Sequence, residues 1–116
     1  EEMLAIYKNP KMHPMELKGV EKSPNSKVMV FYNKEAAEMK LMVENLPELP
    51  KGMQYQVWGI VDGKPMDLGM IAMDFHDKIF DMKLPNKNIQ AFAITLEKQG
   101  GSPTPTLEEM YVIGNV

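Results

Sequence analysis

The sequence predicts an all-β domain: an antiparallel β-sandwich, immunoglobulin-like, with seven or eight strands. Three observations predict it. Eight short segments either alternate in polarity or are β-branched and aromatic throughout. Turn residues separate them at spacings of roughly ten to twelve residues, the rhythm of all-β domains. No long segment repeats apolar residues at the helical period of about 3.6.

The elements follow in order. Glu1–Asn9 is short and partly apolar, with a helical turn allowed, and Pro10 and Pro14 bar a helix interior after it. Met15–Lys18 alternates and opens the first strand. Gly19–Ser26 carries Pro24-Asn25 and reads as a loop. Val28–Tyr32 is apolar on both faces, the mark of a central strand. Asn33–Ala37 connects it to a half-buried strand in which Met39, Leu41 and Val43 alternate with polar residues. Leu46–Gly52 contains Pro47 and Pro50, so it is a stiff loop. Gln54–Val61 places Tyr55, Val57, Gly59 and Val61 on one face and Gln56, Trp58 and Ile60 on the other. Asp62-Gly63 is a hairpin signal, and Pro65–Ala72 is the return strand. Asp74–Lys78 and Pro85–Asn88 are turns flanking the alternating Phe80–Leu84. Ile89–Leu96 is apolar on both faces, Gln99–Thr106 is too rich in Gly and Pro for regular structure, and Met110–Val116 closes the chain.

Composition narrows the function. The chain has 116 residues, which matches one domain with a core of its own. All 13 basic residues are Lys, scattered from Lys8 to Lys98, and the net charge is −3. Nucleic-acid binding calls for a basic stripe and usually Arg, so no nucleic-acid partner is expected. With no Cys, thiol nucleophiles, thiolate metal sites and disulfides are excluded. No apolar run is long enough to span a membrane as a helix, and none has the layout of a signal peptide. The 12 Met are scattered, so residues such as Met39 and Met82 read as flexible core filler rather than as copper ligands.

Chemistry-bearing residues are sparse. Asp74, His76 and Asp77 share one turn, with Asp81 nearby, but a metal needs ligands converging from separate elements. No metal and no cofactor is expected. The three Ser occupy no nucleophile elbow, and Glu108-Glu109 are adjacent rather than facing, so no catalytic residue is expected. Gly100-Gly101 lacks the rest of a phosphate loop and reads as a sharp turn. Trp58, the single Trp, is expected to anchor the core.

Two stretches carry a resemblance. One is Leu46–Trp58, continuing through Asp62–Pro65 to Leu68-Gly69; the other is Phe92–Thr106. Together they resemble the C-terminal, extracytoplasmic domain of the anti-sigma-K factor family, with Val57 where Leu is usual, Ile94 for Val and Lys98 for Pro. The likeness covers roughly residues 15–115. It implies a bacterial single-pass membrane protein. Its cytoplasmic domain holds an extracytoplasmic-function sigma factor, and stepwise proteolysis releases that factor.

On this reading the chain is the outer portion of a longer protein, with residues 1–14 a membrane-proximal stub and 15–116 the β domain. Its partners would be a site-one protease or a signal partner in the envelope. Sigma factor and membrane would be reached only through segments this sequence does not contain. The motif residues, Leu46, Pro47, Pro50, Gly52, Tyr55, Trp58, Gly69, Thr95, Glu97, Gly100, Gly101, Pro105 and Thr106, would be structural. Glu97, just before the Gly-Gly turn, is expected to accept hydrogen bonds from the backbone N–H groups of the loop that follows. The alternative function is a secreted or surface-anchored module binding a peptide, glycan or protein through Trp58 or the Gly100–Thr106 loop.

Overall fold

A computed structural model describes residue 6 and residues 8–116; the helical expectation for the opening segment falls mostly outside these. Eight strands are present: β1 (His13–Gly19), β2 (Lys27–Asn33), β3 (Glu38–Asn45), β4 (Met53–Val61), β5 (Lys64–Met70), β6 (Ile79–Lys83), β7 (Ala91–Lys98) and β8 (Met110–Asn115). All pairings are antiparallel. A 3₁₀ turn, Leu107–Glu109, precedes β8.

The strands share one continuous ladder, in the order β5-β4-β7-β8-β1-β2-β3-β6. The join in its middle is slender. β1 pairs with β8 only at Lys18↔Ile113 and Gly19↔Val112. Two four-stranded halves thus fold over this seam and enclose one core. Leu17, Val30 and Leu41 come from one half, and Val57, Phe92 and Ile94 from the other; all are essentially inaccessible. Tyr32 of β2 and Phe92 of β7 stack edge to face across the halves, 5.4 Å between centroids. The all-β, antiparallel expectation is met, but the two layers belong to one ladder rather than two separate sheets. This strand order gives no support to the immunoglobulin-like variant.

Local chemistry explains the turns and edges. Asp62 and Gly63 both have positive φ, 52° and 76°, as a two-residue hairpin turn requires. Pro65 lies on β5, an outermost strand, where a missing N–H breaks no second ladder. Pro14 is the second residue of β1, at the end that β8 does not reach. Met39 and Met82 fill the core as expected, facing each other across β3 and β6.

Strands that are apolar on both faces need a second cover. On the outer face of β2, Phe31 is buried with Ile6 and Met12, against Met29 and Ile79. Ile6 and Met12, which precede β1, are therefore packed onto the sheet. On the outer face of β4 and β7 the cover is the loop after β7.

Candidate functional site

The two motif stretches form one hydrogen-bonded unit, because β4 and β7 pair throughout their length. Their register sets Gln54 opposite Glu97, Gln56 opposite Thr95 and Trp58 opposite Ala93. All six point away from the core, since Tyr55, Val57 and Ile94 point into it. Residues 99–106 cross this outer face as a strap.

The strap has no strand partner, so side chains satisfy its backbone. Gln54 Oε1 accepts from the Gly100 N–H at 3.1 Å. Gln56 holds Ser102 at both backbone atoms: Oε1 accepts from its N–H at 2.9 Å, and Nε2 donates to its carbonyl at 3.1 Å. Gly101 must be glycine here. Its φ is 95°, and a Cβ would lie 2.8 Å from Met70 Sδ and 3.0 Å from Gln56 Oε1. The Gly-Gly turn is thus structural, and its amides are occupied rather than open to an anion.

Glu97 is the centre of the arrangement. Its carboxylate is 2 % exposed and accepts four hydrogen bonds. Oε2 takes the Thr106 N–H at 2.8 Å and the Thr95 hydroxyl at 2.6 Å. Oε1 takes the hydroxyls of Ser102 and Thr106, both at 2.8 Å. Burial alone pushes this carboxyl up. The Thr106 N–H and the three hydroxyls outweigh burial and hold it below the ordinary carboxylate range. The expected loop-bracing role of Glu97 is present, but only one donor is a loop backbone N–H, that of Thr106; the hydroxyls of Ser102 and Thr106 supply two more and Thr95 of β7 the fourth. Thr95 extends the chain inward by accepting from Trp58 Nε1 at 2.8 Å.

Trp58 is buried as expected, 1 % exposed, but outside the cluster that the two halves enclose: it lies on the outer face beneath the strap. The reason is parity: Tyr55 and Val57 take the inward positions of β4, and Trp58, one residue on, must face out. Beside it opens a pocket of about 410 Å³ between the sheet and the far end of the strap. Trp58, Ile60 and Ala93 lie on the sheet side, with Pro65, Pro105 and Leu107 around it.

The remaining motif residues are dispersed around this unit. Leu46 is buried in the core. The Pro47 carbonyl accepts the Tyr55 hydroxyl at 2.8 Å, and the Pro50 carbonyl accepts the Met53 N–H at 3.1 Å. Gly52, with φ 80°, offers its carbonyl to Gln99 at 2.9 Å, which ties the first motif to the root of the strap. Gly69 has φ 120°, and its N–H donates to Asp67. Burial first, then the charges of Tyr111 and Glu48, pushes the Tyr55 phenol up. Tyr55→Phe removes the Pro47 bond and little volume, so it should cost about 1 kcal/mol in urea unfolding. An unchanged midpoint and slope would show that water replaces this bond at no cost.

The other residues singled out in the sequence do not converge. His76 meets Glu48 at 2.9 Å, Asp74 pairs with Lys78, and Asp81 pairs with Lys40. Glu109 pairs with Lys22, which also lies over the Tyr111 ring. Among the described residues no three His, Asp or Glu side chains gather as a metal site would need. Gln54, Gln56 and Ser102 are the functional residues that sequence reasoning passed over. Their signal was polarity out of place: two glutamines at i and i+2 inside a strand otherwise apolar on both faces.

This fold and site define a β domain in which a buried carboxylate braces a strap over one face of the sheet. A family model described as anti-sigma-K factor rskA, C-terminal, matches residues 1–110, and the chain belongs to that family. It is thus an anti-sigma factor domain. No curated protein and no solved structure matches the chain.

Proposed function

We propose that this domain is the extracytoplasmic, non-enzymatic regulatory part of a membrane-anchored anti-sigma factor. Its folded state controls release of an extracytoplasmic-function sigma factor through regulated proteolysis. The observation that carries this reading is the docking of Ile6 and Met12, which precede β1. Ile6 and Met12 are buried against Phe31, at 4 % and 7 % exposure, on the outer face of β2. A protease acts on extended, accessible backbone, so a membrane-proximal segment packed on a sheet is protected while the sheet stands. Loss of the fold, or a partner pulling the segment away, exposes it to a site-one protease in the envelope.

Met12→Asp undocks the segment without touching the main core. In the full-length protein it should raise sigma-dependent reporter transcription well above wild type, while the isolated domain keeps its sheet. A reporter left at the wild-type level, with the segment cut faster by added trypsin at Lys8 and Lys11, would refute the gating. A second reading, a surface binding module, is favoured by the pocket beside Trp58. A full-length gene encoding a secretion signal and no membrane helix would select it.

A further inference from the structure

We propose that the pocket on the outer face of β4 and β7 is a binding site for a small, uncharged, apolar molecule. The site stands or falls independently of where the domain resides.

The volume, about 410 Å³, lies within the range of about 300–1,000 Å³ typical of small-molecule sites. Its chemistry selects the ligand class. None of the residues lining it carries an ionisable group. The two polar groups at its base are already paired, since Trp58 Nε1 donates to Thr95 Oγ1 and Thr95 Oγ1 donates to Glu97. A charged ligand would lose its hydration there and find no counter-charge. What the pocket offers is apolar surface from Ile60, Pro65, Pro105, Leu107 and Met110, over a floor in which Trp58 and Ala93 are already buried. Thr104, also part of the lining, is the one residue there with a hydroxyl not engaged elsewhere in the network described above.

Two further observations favour an occupant. Leu107 stands at the rim 67 % exposed, on the turn that ends the strap. Ile113, paired with Ala93 and so on the same face, is 38 % exposed. The wall is also rigid in advance of binding. Gln56 and Glu97 fix the strap at Ser102 and Thr106, on either side of the Thr104 and Pro105 positions that close the pocket. Binding then orders little that is not already ordered, which is how a small apolar contact area yields useful affinity.

The test uses the domain with carbon-13-labelled Ala, Ile, Leu and Met methyl groups, titrated with 2-naphthol and, in parallel, with its anionic counterpart 2-naphthoate. The expected result is saturable shifts at Ile60, Ala93, Leu107 and Met110, with Leu17 and Leu41 in the core unmoved. 2-Naphthoate should bind at least about tenfold more weakly, and Leu107→Lys, at an exposed position, should weaken 2-naphthol by a similar factor. Failure of 2-naphthol to shift the pocket methyls overturns the proposal, as do shifts scattered over the molecule. So does equal binding of the anion. Self-association that moves Leu107 and Ile113 as the domain is concentrated, without any probe shift, would assign the face to a second copy and equally overturn it.

Discussion

Glu97→Ala is expected to lower the unfolding free energy by about 3 kcal/mol, and to loosen the strap before the sheet. The magnitude follows from what is left behind. Four donors lose their acceptor. The hydroxyls of Ser102 and Thr106 can turn toward water. The Thr106 N–H cannot turn, and the fully buried Thr95 hydroxyl still serves Trp58 but has nowhere to donate. A hydrogen bond to a charged group is worth about 1.5–3 kcal/mol, and the terms of one network do not add. For a chain of this size the loss corresponds to a fall in Tm of about 10 °C. Ser102→Ala, which removes one donor and keeps the carboxylate, should cost about 1 kcal/mol. Amide exchange at Ser102 and Thr106 should accelerate in Glu97→Ala by more than exchange at Val30 or Leu41. Equal stability of Glu97→Ala and wild type would mean that the strap holds itself.

The same carboxylate sets an acid limit. Its folded pKa lies below the ordinary value, so its charge stabilises the fold above the unfolded pKa, about 4.3. That contribution is lost as pH falls from there through the folded value. Glu97→Gln keeps the shape and removes the charge. The gap in stability between wild type and Glu97→Gln should therefore be full near neutral pH and close progressively below about pH 4.3. Parallel acid limbs for the two proteins would assign the acid sensitivity to other carboxylates.

The strands were legible in the sequence because they are local. Alternation at Met39, Leu41 and Val43, the Asp62-Gly63 turn and the double-faced runs at Val28–Tyr32 and Ile89–Leu96 each need only neighbours in the chain to be read. The bracing role of Glu97 was legible in kind but not in partner: the Gly-Gly amides go to Gln54 and the Lys98 carbonyl, and the one N–H that Glu97 accepts is that of Thr106, nine residues on. What covers a double-faced strand is a long-range fact. The sequence says that both faces of β2 and β4 are apolar. It does not say that Ile6 and Met12 cover one and the Gly100–Leu107 stretch the other. Trp58 shows the limit: its burial is readable from the sequence, and the strap that buries it is not. The seam is non-local too. Gly19 looks like the start of a loop, yet it ends β1 and pairs with Val112 some ninety residues on.

That seam gives the other large effect. Gly19→Ala is expected to cost about 3 kcal/mol or more, although its backbone conformation suits alanine. A Cβ at Gly19 would lie 2.0 Å from the Ser23 carbonyl oxygen and 2.9 Å from the Pro24 carbonyl carbon. Both are backbone atoms of a loop that cannot easily move away. Val20 is bonded to Tyr111, Ser23 to Val20 and Ser26 to Ser23, so the loop yields only by breaking that chain or by prising β1 from β8. Restricting the unfolded chain returns only about 0.4–1 kcal/mol. Gly52→Ala is the control. It has positive φ but nothing within 4 Å of the new Cβ, so it should cost about 1–2 kcal/mol from backbone strain alone. The mode of unfolding should differ as well. Trp58 reports only on the β5-β4-β7-β8 half, whereas far-ultraviolet circular dichroism reports on both. With only two residue pairs across the seam, a wedge at Gly19 should weaken the coupling between halves, and the two urea transitions should separate. If they stay coincident and the cost is under about 1 kcal/mol, the loop has absorbed the methyl group, and the shared core alone holds the halves together.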